Sequence, residues 1–206
     1  MTGYTLVALG DSTTAGTPGF QSPLEAPPEG TGDIRSQYAY WLMQMHPDWR
    51  VLNRGVNGER SDQIRARFRR DAVALAPDAV ILIAGVNDVY QGQAPKTVTH
   101  ELEAMYELAR RATPQGIPVV AGSILPYNTA TSVEIARMRA VNDWIRAYAA
   151  AHPHVTACDT RAAVAAPDDP DRLETSPDGL HPTPDGYRRM ALALVPVLER
   201  VLARGA

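Results

Sequence analysis

With 206 residues, of which 45% are hydrophobic, the chain is long enough to bury the core of one globular domain and needs no second domain. Its formal net charge of -3 lacks the basic excess typical of nucleic-acid-binding proteins, which argues against a nucleic-acid partner. A single cysteine, Cys158, excludes an internal disulfide and a multi-cysteine metal site.

The first ten residues resemble a short strand rather than a targeting segment. They contain no basic stretch and no small-residue cleavage site, and no apolar run in the chain is long enough to span a bilayer. We therefore expect a single domain over residues 1–206, without a membrane span and located in the cytoplasm. A secreted protein whose leader has been removed would have the same sequence.

Short apolar runs alternate with longer amphipathic segments along the chain. The apolar runs predict five strands, at residues 4–9, 50–52, 79–84, 118–121 and 155–158. The amphipathic segments predict five helices, at residues 36–45, 61–75, 95–112, 132–151 and 184–202. Ser61 and Ser132 are the expected N-caps of two helices, and Pro95 and Pro184 suit a first helical turn.

This alternation is typical of βαβ units, which build a parallel sheet covered by helices on both faces. We therefore predict the α/β class, as a three-layer α/β/α sandwich with a five-stranded parallel sheet. Ligands of such sheets bind at the carboxyl ends of the strands. The loops that follow the five strands are therefore where functional residues are expected.

Two loops are longer than ordinary connections. Residues 17–35 contain several prolines, and we predict either a rim or lid over a substrate site or a disordered segment. Residues 167–178 are acidic and are expected to form a solvated loop.

Four polar blocks lie at the predicted functional edge of the sheet. "GDS" at residues 10–12, "NRGVNG" at 53–58 and "GVND" at 85–88 follow the first three strands, and "DGLHP" at 178–182 precedes the last helix. A nucleophilic serine needs a base, and the base needs a group that fixes its tautomer. Ser12, His181 and Asp178 are residues of these three types, and Asp178 lies close enough in sequence to contact His181 locally.

In their order and spacing, these blocks resemble the SGNH hydrolases, also called the GDSL esterase and lipase family. The resemblance implies a flavodoxin-like strand order, Ser12 as nucleophile, and His181 as general base oriented by Asp178. It also implies an oxyanion hole formed by the backbone N–H groups of Ser12 and Gly58 and by the side-chain amide of Asn87. Asp88, next to Asn87, is expected to brace its loop.

The sequence departs from the family pattern at two points. Thr13 stands where the family motif has leucine, and Glu59-Arg60 stands where relatives often have Asp-Thr. Arg60, together with Arg54, is therefore a candidate for binding an anionic part of the substrate. The alternative is a surface salt bridge.

The resemblance implies hydrolysis of a carboxylic ester through an acyl-enzyme intermediate and with no cofactor. Because the sequence shows no signal peptide, we favour a small-molecule ester with a short-chain acyl or acetyl group over the substrate of a secreted lipase or wall-polysaccharide esterase. Thioesterases, lysophospholipases and carbohydrate deacetylases belong to the same family and are alternatives. The candidate specificity segments are residues 17–35, 89–94 and 126–131.

A flavodoxin-like protein is the main alternative from another class. The hydroxyl-rich "STTAGT" at residues 12–17 is typical of a loop that binds a flavin phosphate. That hypothesis gives no role to Gly58, Asn87 or the Asp178–His181 pair. An α/β-hydrolase is disfavoured because the sequence has no G-x-S-x-G motif.

The four remaining histidines are interpreted as structural: His46, His100, His152 and His154. No metal site is expected, because no histidine pair has a metal-ligand context. Cys158 is expected to be a small buried hydrophobe. A cluster of four arginines in one predicted helix is interpreted as a solvated helix face: Arg65, Arg67, Arg69 and Arg70.

Overall fold

A computed structural model describes residues 3–204 of the protein. These residues contain seven strands: β1 Thr5–Gly10, β2 Phe20–Gln21, β3 Thr31–Gly32, β4 Arg50–Gly55, β5 Ala79–Ile83, β6 Val119–Gly122 and β7 Val155–Cys158. They also contain eight α-helices: α1 Ser12–Ala15, α2 Tyr38–Met45, α3 Ser61–Asp71, α4 Val86–Tyr90, α5 Pro95–Arg110, α6 Ser132–Ala151, α7 Thr160–Val164 and α8 Pro184–Leu202. Short 3₁₀ helices span Ile34–Ser36 and Val73–Leu75.

Five strands form one parallel sheet in the order β4-β1-β5-β6-β7. Numbered along the chain among themselves, these strands have the order 2-1-3-4-5, which is the flavodoxin-like order. β1 lies between β4 and β5, so Gly10 at its end pairs with both Gly55 and Ile83. The predicted fold class and strand order are confirmed.

Helices cover both faces of the sheet, and each face has its own hydrophobic core. Successive side chains of a strand point to opposite faces, so Leu6 and Ala8 of β1 enter one cluster while Val7 and Leu9 enter the other. The first cluster is closed by α2 and α8, and the second by α3, α5 and α6. This burial on both faces explains why the strands are almost continuously apolar.

The predicted first-turn prolines are confirmed, but both predicted N-caps are wrong. Pro95 and Pro184 do occupy the first turns of α5 and α8. Ser61 and Ser132, however, are the first helical residues, and the N-caps are Arg60 and Thr131. Thr131 forms a capping box, in which its hydroxyl accepts from the Glu134 N–H and its own N–H donates to the Glu134 carboxylate.

Several element boundaries differ from the predicted ones. The segment predicted as one helix over residues 61–75 is α-helical only to Asp71 and ends in a 3₁₀ turn. β4 continues to Gly55, three residues beyond its predicted end. The predicted bounds of β7, α6 and α8 are confirmed.

Residues 17–35 form an ordered hairpin rather than a disordered segment. β2 and β3 pair in antiparallel fashion, and the Ser22 hydroxyl donates to the Gly55 carbonyl at 2.6 Å. The Glu25 carboxylate accepts from the Asn57 N–H at 2.8 Å. The hairpin therefore braces the loop that follows β4.

Most residues of the acidic segment 167–178 are exposed, in line with the predicted solvated loop, but Asp171 is not. The side chain of Asp171 is 13% exposed and pairs with Arg139 on α6 and Arg161 on α7. The segment is thus pinned to two helices before it reaches α8. No helix within residues 3–204 has both the length and the apolar character needed to cross a membrane.

Candidate active site

Ser12 lies at the carboxyl end of β1, where the chain turns directly into α1. The Asp11 side chain caps this short helix by accepting from the Thr13 N–H at 3.0 Å. Gly16 ends the helix in a left-handed conformation, with φ 107°. The Ser12 side chain is thereby fixed at the functional edge of the sheet.

Ser12, His181 and Asp178 form one hydrogen-bonded chain. The Ser12 Oγ lies 2.9 Å from the His181 Nε2, although 169 positions separate the two residues in sequence. The His181 Nδ1 lies 2.6 Å from the Asp178 Oδ2. The arrangement allows the imidazole to take a proton from the serine while the carboxylate stabilises the resulting imidazolium.

Backbone N–H groups hold the Asp178 carboxylate in place. Its Oδ1 accepts from the N–H groups of Leu180 and His181, each at 2.9 Å. Burial alone would raise the pKa of Asp178, but the hydrogen bonds from the His181 ring and from these N–H groups outweigh burial and lower it. Asp178 is therefore an ionised partner for His181 even in mildly acidic solution.

Gly58 and Asn87 lie on the two loops beside Ser12. The Asn87 Nδ2 donates to the Glu59 carbonyl at 2.9 Å, which links the two loops and leaves the second amide N–H for another acceptor. Gly58 has φ 78°, and a Cβ built there would meet no atom within 4 Å. The left-handed backbone rather than crowding therefore requires glycine at this position.

Asp88 braces the same region, as the sequence predicts. Its carboxylate is buried and accepts from the Ser61 N–H at 2.8 Å and from the Ser61 hydroxyl at 2.6 Å. Two hydrogen bonds thus join the start of α3 to α4, and they fix the spacing between the Gly58 and Asn87 loops.

A cavity of about 150 Å³ lies beside the Ser12–His181–Asp178 chain. Tyr90 and Tyr127 form one aromatic wall, with ring centroids 5.8 Å apart in an edge-to-face arrangement. These tyrosines come from two of the three predicted specificity segments; the third, residues 17–35, contributes no lining residue. The lining residues are Ser12, Thr13, Asn57, Val86, Asn87, Tyr90, Tyr127, Leu180 and His181.

A larger cavity of about 650 Å³ lies at the opposite end of the sheet. Its lining includes residues that precede strands, such as Tyr4 and Pro118, and none of the predicted site residues. Ligands of parallel sheets bind at the carboxyl ends of the strands, so the smaller cavity is the candidate active site.

Arg60 lies outside the lining of the smaller cavity. Its guanidinium donates two hydrogen bonds to Asp62, each 3.0 Å long, and a third to Gln91 at 3.2 Å. These contacts favour the surface salt bridge over the substrate-binding role.

The interpretation of all four clustered arginines as solvent-facing is wrong for Arg67. Arg65, Arg69 and Arg70 are exposed, whereas the Arg67 side chain is only 7% exposed and lies beneath the candidate site. Its spacing from Ile64, three residues earlier, places it on the buried face of α3. That helical period is the sequence signal that distinguishes it from the other three.

Two of the remaining histidines and the cysteine have structural surroundings. His46 stacks on Trp49, and His152 stacks on Tyr148, each with ring centroids 3.8 Å apart. Cys158 is buried, and burial raises the pKa of its thiol to about 12. Among the residues that the structure describes, no group of three histidine, cysteine or carboxylate side chains could hold a metal ion.

Comparison with known proteins favours the hydrolase hypothesis over the flavodoxin-like one. A family model described as "GDSL-like Lipase/Acylhydrolase family" matches residues 8–189. A crystal structure of a member of the lipolytic protein G-D-S-L family from Veillonella parvula superimposes with a TM-score of 0.77. It is 22% identical and is aligned over 95% of this chain and 98% of its own chain.

Two curated proteins are similar in sequence. An acetylxylan esterase from Geobacillus stearothermophilus is 32% identical over 43% of this chain. The human platelet-activating factor acetylhydrolase IB subunit alpha1 is 27% identical over 75% of this chain. The matches span 42% and 66% of these two relatives, which is less than two thirds of either.

Proposed function

The chain belongs to the GDSL-like lipase/acylhydrolase family, and on that premise we propose that it is a serine esterase that hydrolyses carboxylic esters through an acyl-enzyme intermediate. The proposal rests on the hydrogen-bonded chain from Ser12 Oγ through the His181 ring to the Asp178 carboxylate. A serine hydroxyl is a weak nucleophile unless a base within hydrogen-bond distance takes its proton.

In the proposed first step, His181 Nε2 takes the proton of Ser12 as the Ser12 Oγ attacks the ester carbonyl. The imidazolium then gives that proton to the leaving alcohol, and an acyl group remains on Ser12. In the second step His181 takes a proton from water, which attacks the acyl-enzyme. The imidazolium returns that proton to the Ser12 Oγ as the acyl–oxygen bond breaks, and the carboxylic acid is released. Asp178 keeps the ring oriented and stabilises its charge in both steps.

The oxyanion of each tetrahedral intermediate would accept from three donors. These are the backbone N–H groups of Ser12 and Gly58 and the free amide N–H of Asn87. Two observations support this assignment: Asn87 lines the same cavity as Ser12, and open space lies next to Gly58. Donors fixed before the reaction cost no reorganisation when the charge develops, and losing one typically costs about 10²- to 10³-fold in kcat.

We propose a short acyl group, such as acetyl, as the part of the substrate that is transferred. The cavity of about 150 Å³ is well below the roughly 300–1,000 Å³ of clefts that enclose drug-sized ligands. Both curated relatives are named for acetyl esters. The rings of Tyr90 and Tyr127 restrict the space beside Ser12, so a long chain would have to displace them.

Replacing the nucleophile tests the mechanism. Ser12→Ala should lower kcat for p-nitrophenyl acetate by at least about 10⁴-fold, because no other group in the proposal can form the acyl-enzyme. Ser132→Ala, at an exposed position on α6, is the matched control and should keep full activity. Comparable activity in Ser12→Ala, with an unchanged circular dichroism spectrum, would refute the mechanism.

A chain-length series tests the acyl group. We expect kcat/KM to be highest for the acetyl ester of p-nitrophenol and to fall from butyryl to octanoyl, because each added methylene needs space that the cavity lacks. Matched acyl thioesters and acetylated sugars, measured with the same preparation, separate the alternatives for the leaving group. A preference for the octanoyl ester would contradict the short acyl group without affecting the mechanism.

A further inference from the structure

Arg67 on α3 is a buried cation that the proposed mechanism does not use. Its guanidinium donates to four acceptors at once: Glu59 Oε2 at 2.6 Å, Arg54 O at 2.9 Å, Gly10 O at 2.9 Å and Asp71 Oδ2 at 3.2 Å. The carboxylates of Glu59 and Asp71 balance its charge. Buried arginine is rare unless it is paired in this way.

Three of the four acceptors of Arg67 lie on segments that build the candidate site, and the fourth, Asp71, is on α3 itself. Gly10 is the last residue of β1 and precedes Asp11-Ser12 directly, and Arg54 lies near the end of β4. Glu59 follows Gly58, and its main-chain carbonyl accepts from the Asn87 amide. The Arg67 guanidinium thus links the end of β1, directly before Ser12, to the Gly58-Glu59 loop. That loop in turn contacts Asn87 through the Glu59 carbonyl.

We propose that Arg67 is a positioning residue for the oxyanion hole. It fixes the distance between the Ser12 loop and the Gly58-Glu59 loop, and through the Glu59 carbonyl it sets the orientation of the Asn87 amide. This inference rests on the proposed function, because it requires Ser12, Gly58 and Asn87 to be the oxyanion donors.

This role requires the planar guanidinium group of arginine. Five N–H groups in fixed directions let Arg67 bind two main-chain carbonyls and two carboxylates at the same time. A lysine ammonium at this position keeps the charge but is a point charge on a flexible stem, and it cannot reach acceptors on separate loops in the same geometry. Arg67→Lys therefore removes the positioning while it preserves the charge.

The first measurement is the steady-state kinetics of Arg67→Lys with p-nitrophenyl acetate. We expect kcat to fall by between about 10-fold and about 10²-fold, since a displacement of about 1 Å at a reacting centre costs up to that much. KM should stay within about 2-fold of its original value, because the cavity lining does not include Arg67. Arg70→Ala is the matched control: Arg70 also pairs with Asp71 but is 72% exposed and contacts neither loop, so its kcat should not change.

A double-mutant cycle distinguishes a positioning role of Arg67 from a general contribution of Arg67 to the stability of the fold. If Arg67 acts through the oxyanion donors, Arg67→Lys should reduce kcat far less in an Asn87→Ala background than in the original protein. If Arg67 only supports the fold, the two losses should multiply, and that result would overturn the inference.

Glu59→Ala keeps the inference testable if Arg67→Lys does not fold. This substitution removes the carboxylate that accepts from Arg67 and leaves the carbonyl that accepts from Asn87. Glu59 lies on a surface loop, and its side chain is 19% exposed. We expect a loss in kcat of about 10-fold that again shrinks in the Asn87→Ala background. An unchanged kcat in Glu59→Ala would overturn the inference.

Failure of the proposed function gives a different result. Full activity in Asn87→Ala alone would refute Asn87 as an oxyanion donor and with it the basis of the inference. A loss in Asn87→Ala together with full activity in Arg67→Lys would refute only the role of Arg67.

Discussion

Asp11 brings a carboxylate into the interior directly beside Ser12. One of its oxygens caps α1, whereas its Oδ2 is buried without a hydrogen-bond partner within residues 3–204. Burial, and to a smaller extent the nearby Asp88 carboxylate, raises the pKa of Asp11 to about 7. Near neutral pH this carboxyl group therefore binds a proton in the folded protein that it releases in the unfolded chain.

This difference makes stability depend on pH in a defined direction. Because the folded state holds the extra proton, the contribution of Asp11 is most favourable below pH 4 and is lost as the pH rises towards 7. Asp11→Asn keeps the cap and cannot ionise. We expect the stability of the variant relative to the original protein to increase by about 2–3 kcal/mol between pH 5 and pH 8.

Urea unfolding of both proteins at several pH values measures this difference. Groups other than Asp11 titrate in both proteins, so their contributions cancel in the comparison. A constant difference in the free energy of unfolding between pH 5 and pH 8 would show that Asp11 ionises normally in the folded protein.

The start of α6 depends on Thr131 rather than on Ser132. Thr131 makes both hydrogen bonds of the capping box with Glu134, whereas Ser132 is already in the helix. Thr131→Ala should therefore lower the free energy of unfolding by about 1 kcal/mol. Ser132→Ala, one residue later, should change it by no more than a few tenths of a kcal/mol. Equal effects of the two substitutions, measured by urea unfolding, would contradict the assignment of the cap.

Long elements are predictable from the sequence, and short ones are not. α6 and α8 repeat their apolar residues over many turns, so both bounds of each helix are found. α1 and α4 have four and five residues, which is too few to show a period. β2 and β3 have two residues each, and only their pairing defines them as strands.

The candidate site is also predictable only in part, because the sequence reveals distinctive blocks of residues but not contacts between distant loops. Ser12, Asn87 and His181 lie in blocks of distinctive residue types at predicted strand ends, and the structure brings these blocks together. Arg67 is missed because arginine usually faces solvent, and its role depends on carbonyl groups of distant loops that the sequence does not reveal. The cavity size is also hidden, because it depends on how close the rings of Tyr90 and Tyr127 lie.

One sheet connects the two large core clusters. Trp41 and Trp49 pack on the side of α2 and α8, and Trp144 packs on the opposite side. The same strands contribute alternate residues to both clusters, so neither cluster can unfold while the other stays intact. We therefore expect the chain to unfold as a single cooperative domain.

Tryptophan fluorescence and far-ultraviolet circular dichroism test this expectation. A variant with Trp41→Phe and Trp49→Phe reports only from Trp144, and its fluorescence transition in urea should coincide with that of the dichroism signal. Two separated transitions would show that the two faces of the sheet unfold independently.

Covalent trapping with a serine-directed reagent shows whether Ser12 is the nucleophile that we propose. After reaction with a fluorophosphonate, the enzyme should lose its esterase activity in proportion to labelling. Peptide mass spectrometry should then find one phosphonyl group, attached to Ser12, and His181→Ala should label far more slowly because it lacks the base. Loss of activity in proportion to a label on another residue, with Ser12 unlabelled, would show that Ser12 is not the nucleophile.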